Sequence, residues 1–196
     1  MATQHIRLIA GLGNPGDAYE KTRHNAGFLV IDELAEAFGI RLSGRKFGAV
    51  FGKGRVEGRE VMLAKPMAFM NRSGPPVQRL AHYFRMNCKD LLVVHDDIDL
   101  AYGRIKIKEK GGHGGHKGVG SIMDAFGEGD FTRLRIGVGH PGSGSEVTGH
   151  VLGRFSREES AGIERVIRRA REAAVTVMTE GVVAGMNMFN KRQIEI

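Results

Sequence analysis

Leu91-Leu-Val-Val-His-Asp-Asp97 is the stretch that decides the fold, because an apolar run passes directly into three polar residues. A short, continuous apolar run is typical of a strand buried on both faces, as in the parallel sheets of α/β proteins. Residues 6–12 repeat this pattern and end in the turn Gly13-Asn-Pro-Gly16. Because α/β sheets build their sites beyond the carboxyl ends of their strands, we expect functional side chains directly after both runs.

Strand and helix patterns alternate along the rest of the chain. Apolar residues recur at helical spacing in residues 28–38, 77–84 and 163–177. Strand patterns occur in residues 47–56, 60–65, 104–108 and 131–138. Ser156 and Glu159 form a capping box before the last helix, whereas residues 139–155 show no clear period. The alternation predicts one α/β domain over residues 1–196, with a central twisted, mixed and partly parallel sheet surrounded by helices.

The composition indicates a basic globular protein of a reducing compartment. The 196 residues include 29 Lys or Arg and 22 Asp or Glu, and the net charge of +7 favours a polyanionic partner. A single cysteine, Cys88, excludes an internal disulfide framework and predicts a cytoplasmic protein. No stretch approaches the roughly 20 apolar residues of a membrane span, and residues 1–7 lack the apolar core of a secretory signal. We therefore expect no membrane partner.

Gly11-Leu-Gly-Asn-Pro-Gly16 matches the G-x-G-x-x-G pattern of dinucleotide-binding sites, but its surroundings differ. A dinucleotide site needs a helix that opens at the third glycine, so that the helix N-terminus meets the pyrophosphate. Here Pro15 precedes that glycine, and a polar segment separates it from the first helical pattern. The motif therefore favours a tight turn, with a nicotinamide-dependent oxidoreductase as the alternative.

His24 lies on that polar segment, beyond the carboxyl end of the first strand. Histidine is the side chain best suited to proton transfer at neutral pH, although a surface or loop-packing histidine is the alternative. A single carboxylate from His95-Asp-Asp-Ile-Asp99 could orient such an imidazole. A metal would need further ligands, which His113 and His116 could supply. The third interpretation is that these acids cap turns and are solvated.

Three further segments could bind a ligand. Residues 111–118 form a glycine-rich loop whose backbone N–H groups could approach an anion. Residues 104–117 carry five basic side chains against one acidic side chain, which predicts contact with a phosphate backbone or, alternatively, a solvated basic hairpin. Phe69, Met70 and Asn71 follow another strand and could form an apolar ligand floor with one orienting amide, or a packed loop.

Together these loops resemble those of the bacterial-type peptidyl-tRNA hydrolases over nearly the whole chain. The resemblance rests on the order and spacing of Gly11-Leu-Gly-Asn-Pro-Gly16, Tyr19, Thr22-Arg-His-Asn25, Gly27, Phe69-Met-Asn71, Ser73-Gly74, His95-Asp96, Gly111-Gly-His-Gly-Gly-His116 and Arg133-Leu-Arg-Ile-Gly-Val-Gly-His-Pro-Gly142. It implies a monomeric α/β enzyme that cleaves the ester joining a peptide to the 3′ ribose of tRNA. Peptidyl-tRNA would be the partner, with no obligate protein partner, and an activated ester requires neither metal nor cofactor.

The resemblance also implies the roles of individual residues. His24 matches the catalytic base and Asp96 the carboxylate that supports it. Asn14 matches the amide that distinguishes a blocked peptidyl group from a free aminoacyl group. Asn71 matches a residue that holds the substrate or the attacking water. Contacts to tRNA are implied at the 3′ end for Tyr19 and Phe69, and at the acceptor arm for Lys108 and Arg135.

The chain departs from the pattern of the family at two positions. Lys117 stands where the family usually has Asn, so a donor-only cation replaces an amide that both donates and accepts, and that substrate-binding role is not carried over. Ala68 stands where Thr is common, which removes a hydroxyl near the floor of the cleft.

A non-enzymatic RNA-binding module with the same basic face is a further alternative.

Overall fold

The run Leu91–Asp97 forms a central strand of the sheet, as its apolar residues predict. The structure is a computed structural model that describes residues 5–142 and 146–191. Its described residues contain seven strands: β1 (Leu8–Gly11), β2 (Gly44–Lys46), β3 (Ala49–Val56), β4 (Arg59–Pro66), β5 (Leu91–Asp97), β6 (Ile105–Lys108) and β7 (Thr132–Gly137). They form one sheet in the order β2-β3-β4-β1-β5-β7-β6. The four strands from β4 to β7 in this order pair in parallel, and the outer pairs are antiparallel, so the sheet is mixed.

Helices cover both faces of the sheet, and each face has its own apolar core. The described helices are α1 (Ala26–Ala37), α2 (Gly74–Tyr83), α3 (Lys117–Phe126), α4 (Val147–Leu152), α5 (Arg157–Glu180) and α6 (Val182–Phe189). α1, α5 and α6 pack on one face with Leu92 and Val94, and α2 and α3 pack on the other with Leu91 and Val93. Side chains of β5 thus alternate between two cores, which explains its continuous apolar run. The prediction of a single α/β domain with a mixed sheet is confirmed.

None of the helices among the described residues combines the length and the apolar character needed to cross a bilayer.

The carboxyl ends of β1 and β5 meet at one edge of the sheet, where the amide of Leu12 donates to the Val94 carbonyl at 2.9 Å. A short 3₁₀ turn, Arg23–Asn25, precedes α1 at this edge. Gly11 and Gly27 allow α1 to pack closely against β1, because a Cβ on Gly11 would lie 2.2 Å from the carbonyl oxygen of Gly27. This close packing places the 3₁₀ turn that contains His24 beside the carboxyl end of β5.

Several short elements were absent from the sequence-based prediction. β2 forms a third antiparallel strand beside β3, and α6 follows directly after Gly181. α4 lies within residues 139–155, which show no clear period in the sequence. β7 lies between β5 and β6, so the strands of residues 91–97 and 105–108 are not neighbours. A strand of three residues and helices of six and eight residues, such as β2, α4 and α6, contain too few apolar positions to reveal their period.

Candidate active site

A cleft of about 490 Å³ opens at the carboxyl edge of β1 and β5. It brings together six of the predicted site residues, from three separate segments of the chain: Asn14, Tyr19, His24, Phe69, Asn71 and Asp96. Phe69 is 59% exposed, and the Tyr19 side chain is half-buried. The two predicted acceptor-arm residues, Lys108 and Arg135, lie outside the lining of this cleft.

His24 and Asp96 form the centre of the cleft. Nδ1 of His24 lies 2.9 Å from both carboxylate oxygens of Asp96. A carboxylate accepts, so Nδ1 carries the proton and donates it to Asp96, and Nε2 is then the basic nitrogen of the ring. The His24 side chain is 13% exposed, whereas that of Asp96 is only 2% exposed. The arrangement provides a partly accessible imidazole whose tautomer is set by a buried acid.

Asp96 stays ionised despite its burial. Burial alone would raise the pKa of this carboxyl group. The charges of and hydrogen bonds from His116 and His24 outweigh burial and hold the pKa of Asp96 well below its usual value. A buried carboxylate beside an imidazole can stabilise the imidazolium that forms when the ring accepts a proton.

His116 is a second imidazole bound to the same carboxylate. Its Nε2 lies 2.9 Å from Oδ1 of Asp96. Its Nδ1 accepts from the backbone amides of Gly118 and Val119 at 3.1 and 3.2 Å, so His116 caps the N-terminus of α3. Because Nδ1 accepts two hydrogen bonds, the proton must reside on Nε2, which donates to Asp96. Helix α3 therefore fixes the tautomer of His116, and His116 fixes the position of Asp96.

The ligating atoms of His24, Asp96 and His116 lie within 4.8 Å of one another, a spacing that a metal ion could use. The hydrogen bonds argue for a different role. A metal at Nε2 of His116 would displace its proton, and a neutral ring would then carry a proton on Nδ1 facing the two amide donors of α3. The three side chains fit a hydrogen-bonded chain centred on a carboxylate better than a set of metal ligands.

The side chain of Asn14 is oriented so that its Nδ2 group is free to bind a ligand in the cleft. Its Oδ1 accepts from the backbone amide of Met70 at 2.8 Å. Oδ1 of Asn25 accepts from the backbone amide of Asn14 at 2.8 Å, and Nδ2 of Asn25 donates to the backbone carbonyl of Asn14 at 3.0 Å. Asn14 and Asn25 are both buried. With its oxygen engaged, Asn14 presents N–H donors, which suit a carbonyl oxygen of a ligand.

The two predicted acceptor-arm residues lie on the strands beside the cleft. Lys106 pairs with Arg135 and Lys108 with Arg133 across β6 and β7, so all four point to one face of the sheet. Nε of Arg135 donates to Oδ2 of Asp97 at 2.5 Å. Asp97 lines the cleft, so Arg135 is coupled to it indirectly. Lys108 is exposed.

His95 makes the free energy of unfolding depend on pH. Burial, with a further effect of His116, lowers the pKa of His95 to about 3. Between about pH 6.5 and pH 3 the unfolded chain therefore binds a proton that the folded state does not, so stability falls as pH decreases, by up to about 1.4 kcal/mol per pH unit. The free energy of unfolding, measured with urea between pH 6.5 and 4.5, should change with pH along a shallower slope for His95→Asn than for the wild type. Equal slopes would contradict this assignment.

Sequence reasoning missed part of the site. The bond from His116 to Asp96 was not anticipated, because histidine is not among the usual N-cap residues and nothing in the sequence marks His116 as one. Helix α4 also lines the cleft, and its place there was not predicted because residues 139–155 show no clear period. The dinucleotide alternative loses its geometric basis, because the first α-helix begins only at Ala26 rather than at Gly16.

Known proteins resemble this chain over nearly its whole length. The profile of the family described as peptidyl-tRNA hydrolase matches residues 8–196. Peptidyl-tRNA hydrolase of Desulforudis audaxviator is 45% identical over 185 residues, covering 94% of this chain and 93% of its own. That of Bacillus subtilis is 42% identical, with 94% and 98% covered. The crystal structure of peptidyl-tRNA hydrolase from Acinetobacter baumannii superimposes with a TM-score of 0.92 at 40% identity, covering 98% of both chains. By its sequence, its fold and its extent, this chain belongs to the peptidyl-tRNA hydrolase family.

Proposed function

We propose that the protein hydrolyses the ester between a peptidyl group and the 3′ ribose of tRNA, and so recycles peptidyl-tRNA released prematurely from ribosomes in the cytoplasm. The observation that carries this proposal is the bond from Nδ1 of His24 to the buried carboxylate of Asp96. It leaves a basic Nε2 in a cleft that also holds two asparagines. The protein acts as a monomer, without an obligate protein partner, and the reaction needs no metal or cofactor.

His24 acts as the general base in a direct attack by water. Nε2 takes a proton from the water as its oxygen bonds to the ester carbonyl carbon, giving a tetrahedral oxyanion and an imidazolium. Asp96 stabilises that imidazolium through Nδ1. Asn71 and backbone N–H groups stabilise the oxyanion. When the intermediate collapses, the carbon–oxygen bond to the ribose breaks, and the proton on Nε2 passes to the leaving 3′ oxygen.

Asn14 supplies selectivity for a blocked amino group. Its amide nitrogen would donate to the carbonyl oxygen of the peptide bond that a peptidyl group has and a free aminoacyl group lacks. A free α-ammonium presents only donors at that place, which Asn14 cannot accept. Tyr19 and the exposed ring of Phe69 lie at positions where the bases of the tRNA 3′ end could stack.

Replacing Asn14 by Asp should weaken the preference for N-blocked substrates. The carboxylate could still accept from Met70, but it would present an acceptor to the peptide carbonyl and attract a free ammonium. We expect the ratio of kcat/KM for N-acetyl-aminoacyl-tRNA to that for aminoacyl-tRNA to fall about 10- to 100-fold, as for a lost buried hydrogen bond. Asn87→Asp, at an exposed turn-capping asparagine, is the matched control and should leave the ratio unchanged. A preserved ratio in Asn14→Asp would refute this role.

Reversing the charge of Lys108 should weaken binding of tRNA in a salt-dependent way. An exposed lysine that contacts phosphate raises affinity at low ionic strength and loses most of its effect when salt screens it. We expect KM of Lys108→Glu to rise several-fold at low salt and to approach that of the wild type at high salt. Arg55→Glu makes the same change in net charge on the far side of the sheet and serves as the control. Arg135→Glu is a less direct test, because it would also repel Asp97. A KM for Lys108→Glu that does not change with ionic strength would exclude a phosphate contact.

Two incubations test the function itself. The protein should release the amino acid from N-acetyl-aminoacyl-tRNA, and much more slowly from unblocked aminoacyl-tRNA. Binding of tRNA without release would identify a non-enzymatic RNA-binding module. A titration with NADH, followed by its fluorescence, should show no binding, and saturable binding would favour the oxidoreductase alternative.

A further inference from the structure

Arg23, the residue directly before His24, is bound to helix α4, which forms part of the cleft lining. Helix α4 contributes four residues to the cleft lining, and we refer to them as the α4 wall: Val147, Thr148, Val151 and Leu152. Nη1 of Arg23 donates to the carbonyl oxygens of His150 and Arg154, at 3.2 and 2.8 Å. These carbonyls belong to the last turn of α4 and to the segment that leaves it. One guanidinium group therefore joins the catalytic turn to the α4 wall.

The backbone strengthens this junction. The amide of Arg23 donates to the carbonyl of Gly153 at 3.1 Å, and Thr22 forms an isolated antiparallel bridge with Arg154. A Cβ on Gly153 would lie 3.3 Å from Nη1 of Arg23 and 3.0 Å from the carbonyl oxygen of Gly149. A larger residue at position 153 would therefore crowd the guanidinium. The segment that follows α4 therefore packs closely against Arg23.

Glu159 fixes the other side of the guanidinium. Its Oε2 and Oε1 accept from Nη2 and Nε of Arg23, at 2.6 and 3.4 Å, and the two side chains are only 18% and 12% exposed. Oε2 also accepts from the amide of Ser156 at 2.6 Å, which is half of the capping box that begins α5. The hydroxyl of Tyr102 donates to the Glu159 carbonyl at 2.5 Å. Glu159 is thus held in place by two independent contacts, and it anchors Arg23 rigidly.

We infer that Arg23 is a positioning residue that sets the distance between His24 and the α4 wall; this inference rests on the proposed function. Its planar fork serves four acceptor atoms in three directions, which the single ammonium of a lysine cannot reproduce. His24 is independently held by both oxygens of Asp96. Loss of Arg23 would therefore displace the α4 wall, which lines the cleft, more than the catalytic imidazole.

Arg23→Lys tests the inference with N-acetyl-aminoacyl-tRNA as substrate. We expect KM to rise about 10- to 100-fold, as for a misplaced binding group, and kcat to stay within about twofold of the wild type. A variant that merely folds less completely would lose kcat through fewer active molecules and keep its KM. Arg171→Lys is the matched control, because Arg171 also forms a half-buried ion pair from α5, with Glu33 at 2.8 Å, away from the cleft. A wild-type KM in Arg23→Lys, or a loss confined to kcat, would overturn the inference.

Glu159→Gln and a measurement without substrate complete the test. Because Arg23 and Glu159 act as one unit, the rise in KM for the double variant should be smaller than the product of the two single effects. Hydrogen exchange of the free protein should be faster at residues 147–153 in Arg23→Lys than in the wild type, and unchanged in Arg171→Lys. Unchanged exchange at α4 would overturn the positioning role whether or not the wild type cleaves tRNA. Failure of the wild type to cleave would overturn only the proposed function.

Discussion

Replacement of His24 by alanine should lower kcat for N-acetyl-aminoacyl-tRNA about 10²- to 10⁴-fold, the usual contribution of a general base. The side chain that would remove the proton from water is gone, whereas the remaining lining of the cleft, including Asn14 and Phe69, is intact. KM should therefore change little. Single-turnover rates and filter binding of tRNA would separate the chemical step from binding.

A matched control and a chemical rescue sharpen this test. His82→Ala removes an exposed histidine from α2, outside the cleft, and should leave kcat unchanged. Free imidazole should restore part of the activity of His24→Ala, because the space left by the ring still faces Asp96. A variant His24→Ala with nearly wild-type kcat would disprove the assignment of the base. A large loss of tRNA binding with little loss in the single-turnover rate would make His24 a binding residue instead.

Topology alone predicts that His24 lies near one of the acids at the carboxyl end of β5, whereas the choice of Asp96 came from the resemblance to the family. Topology brings the carboxyl ends of such strands to one edge, so residues far apart in sequence meet there. The apolar runs and the polar residues that end them indicate this shared edge, but they leave the choice among Asp96, Asp97 and Asp99 open. The resemblance gave the roles of Asn14 and Asn71, which also follow strands, and all four side chains line one cleft.

The partners that fix these side chains could not be predicted in the same way. The tautomer of His116 depends on two amide hydrogens of α3, and these point at Nδ1 only once the helix has formed. The spacing of Ser156 and Glu159 is that of any capping box. The sequence therefore identifies the cap, but it gives no sign of the ion pair between Glu159 and Arg23. Long-range side-chain contacts leave no periodic signal in one sequence, which is why α4 and its junction with Arg23 emerge only from the fold.

Asp96→Asn should lower kcat about as strongly as loss of His24, by roughly 10²- to 10⁴-fold. Both histidines donate to Oδ1 of Asp96, and Oδ2 accepts from His24 alone. An asparagine would keep its oxygen at the shared position and place its NH₂ group against Nδ1 of His24. The NH₂ group can bond Nδ1 only when Nδ1 carries no proton, so it competes with the retained oxygen and favours the tautomer of His24 with the proton on Nε2. That ring can no longer accept a proton from water at Nε2, and the charge that stabilises the imidazolium is also lost.

A comparison with Asp96→Ala tests the tautomer argument directly. Alanine removes the charge but selects no tautomer, so a fraction of His24 keeps its basic Nε2, and we expect Asp96→Ala to retain more kcat than Asp96→Asn. The free energy of unfolding of Asp96→Asn should change by about 1 kcal/mol or less, because the new amide still accepts from His116 and can donate to the altered His24 ring. Urea unfolding curves would verify this before kinetics are compared. If Asp96→Asn is folded and its kcat lies within a few-fold of the wild type, then the buried carboxylate does not govern the imidazole, and the proposed route of the proton fails with it.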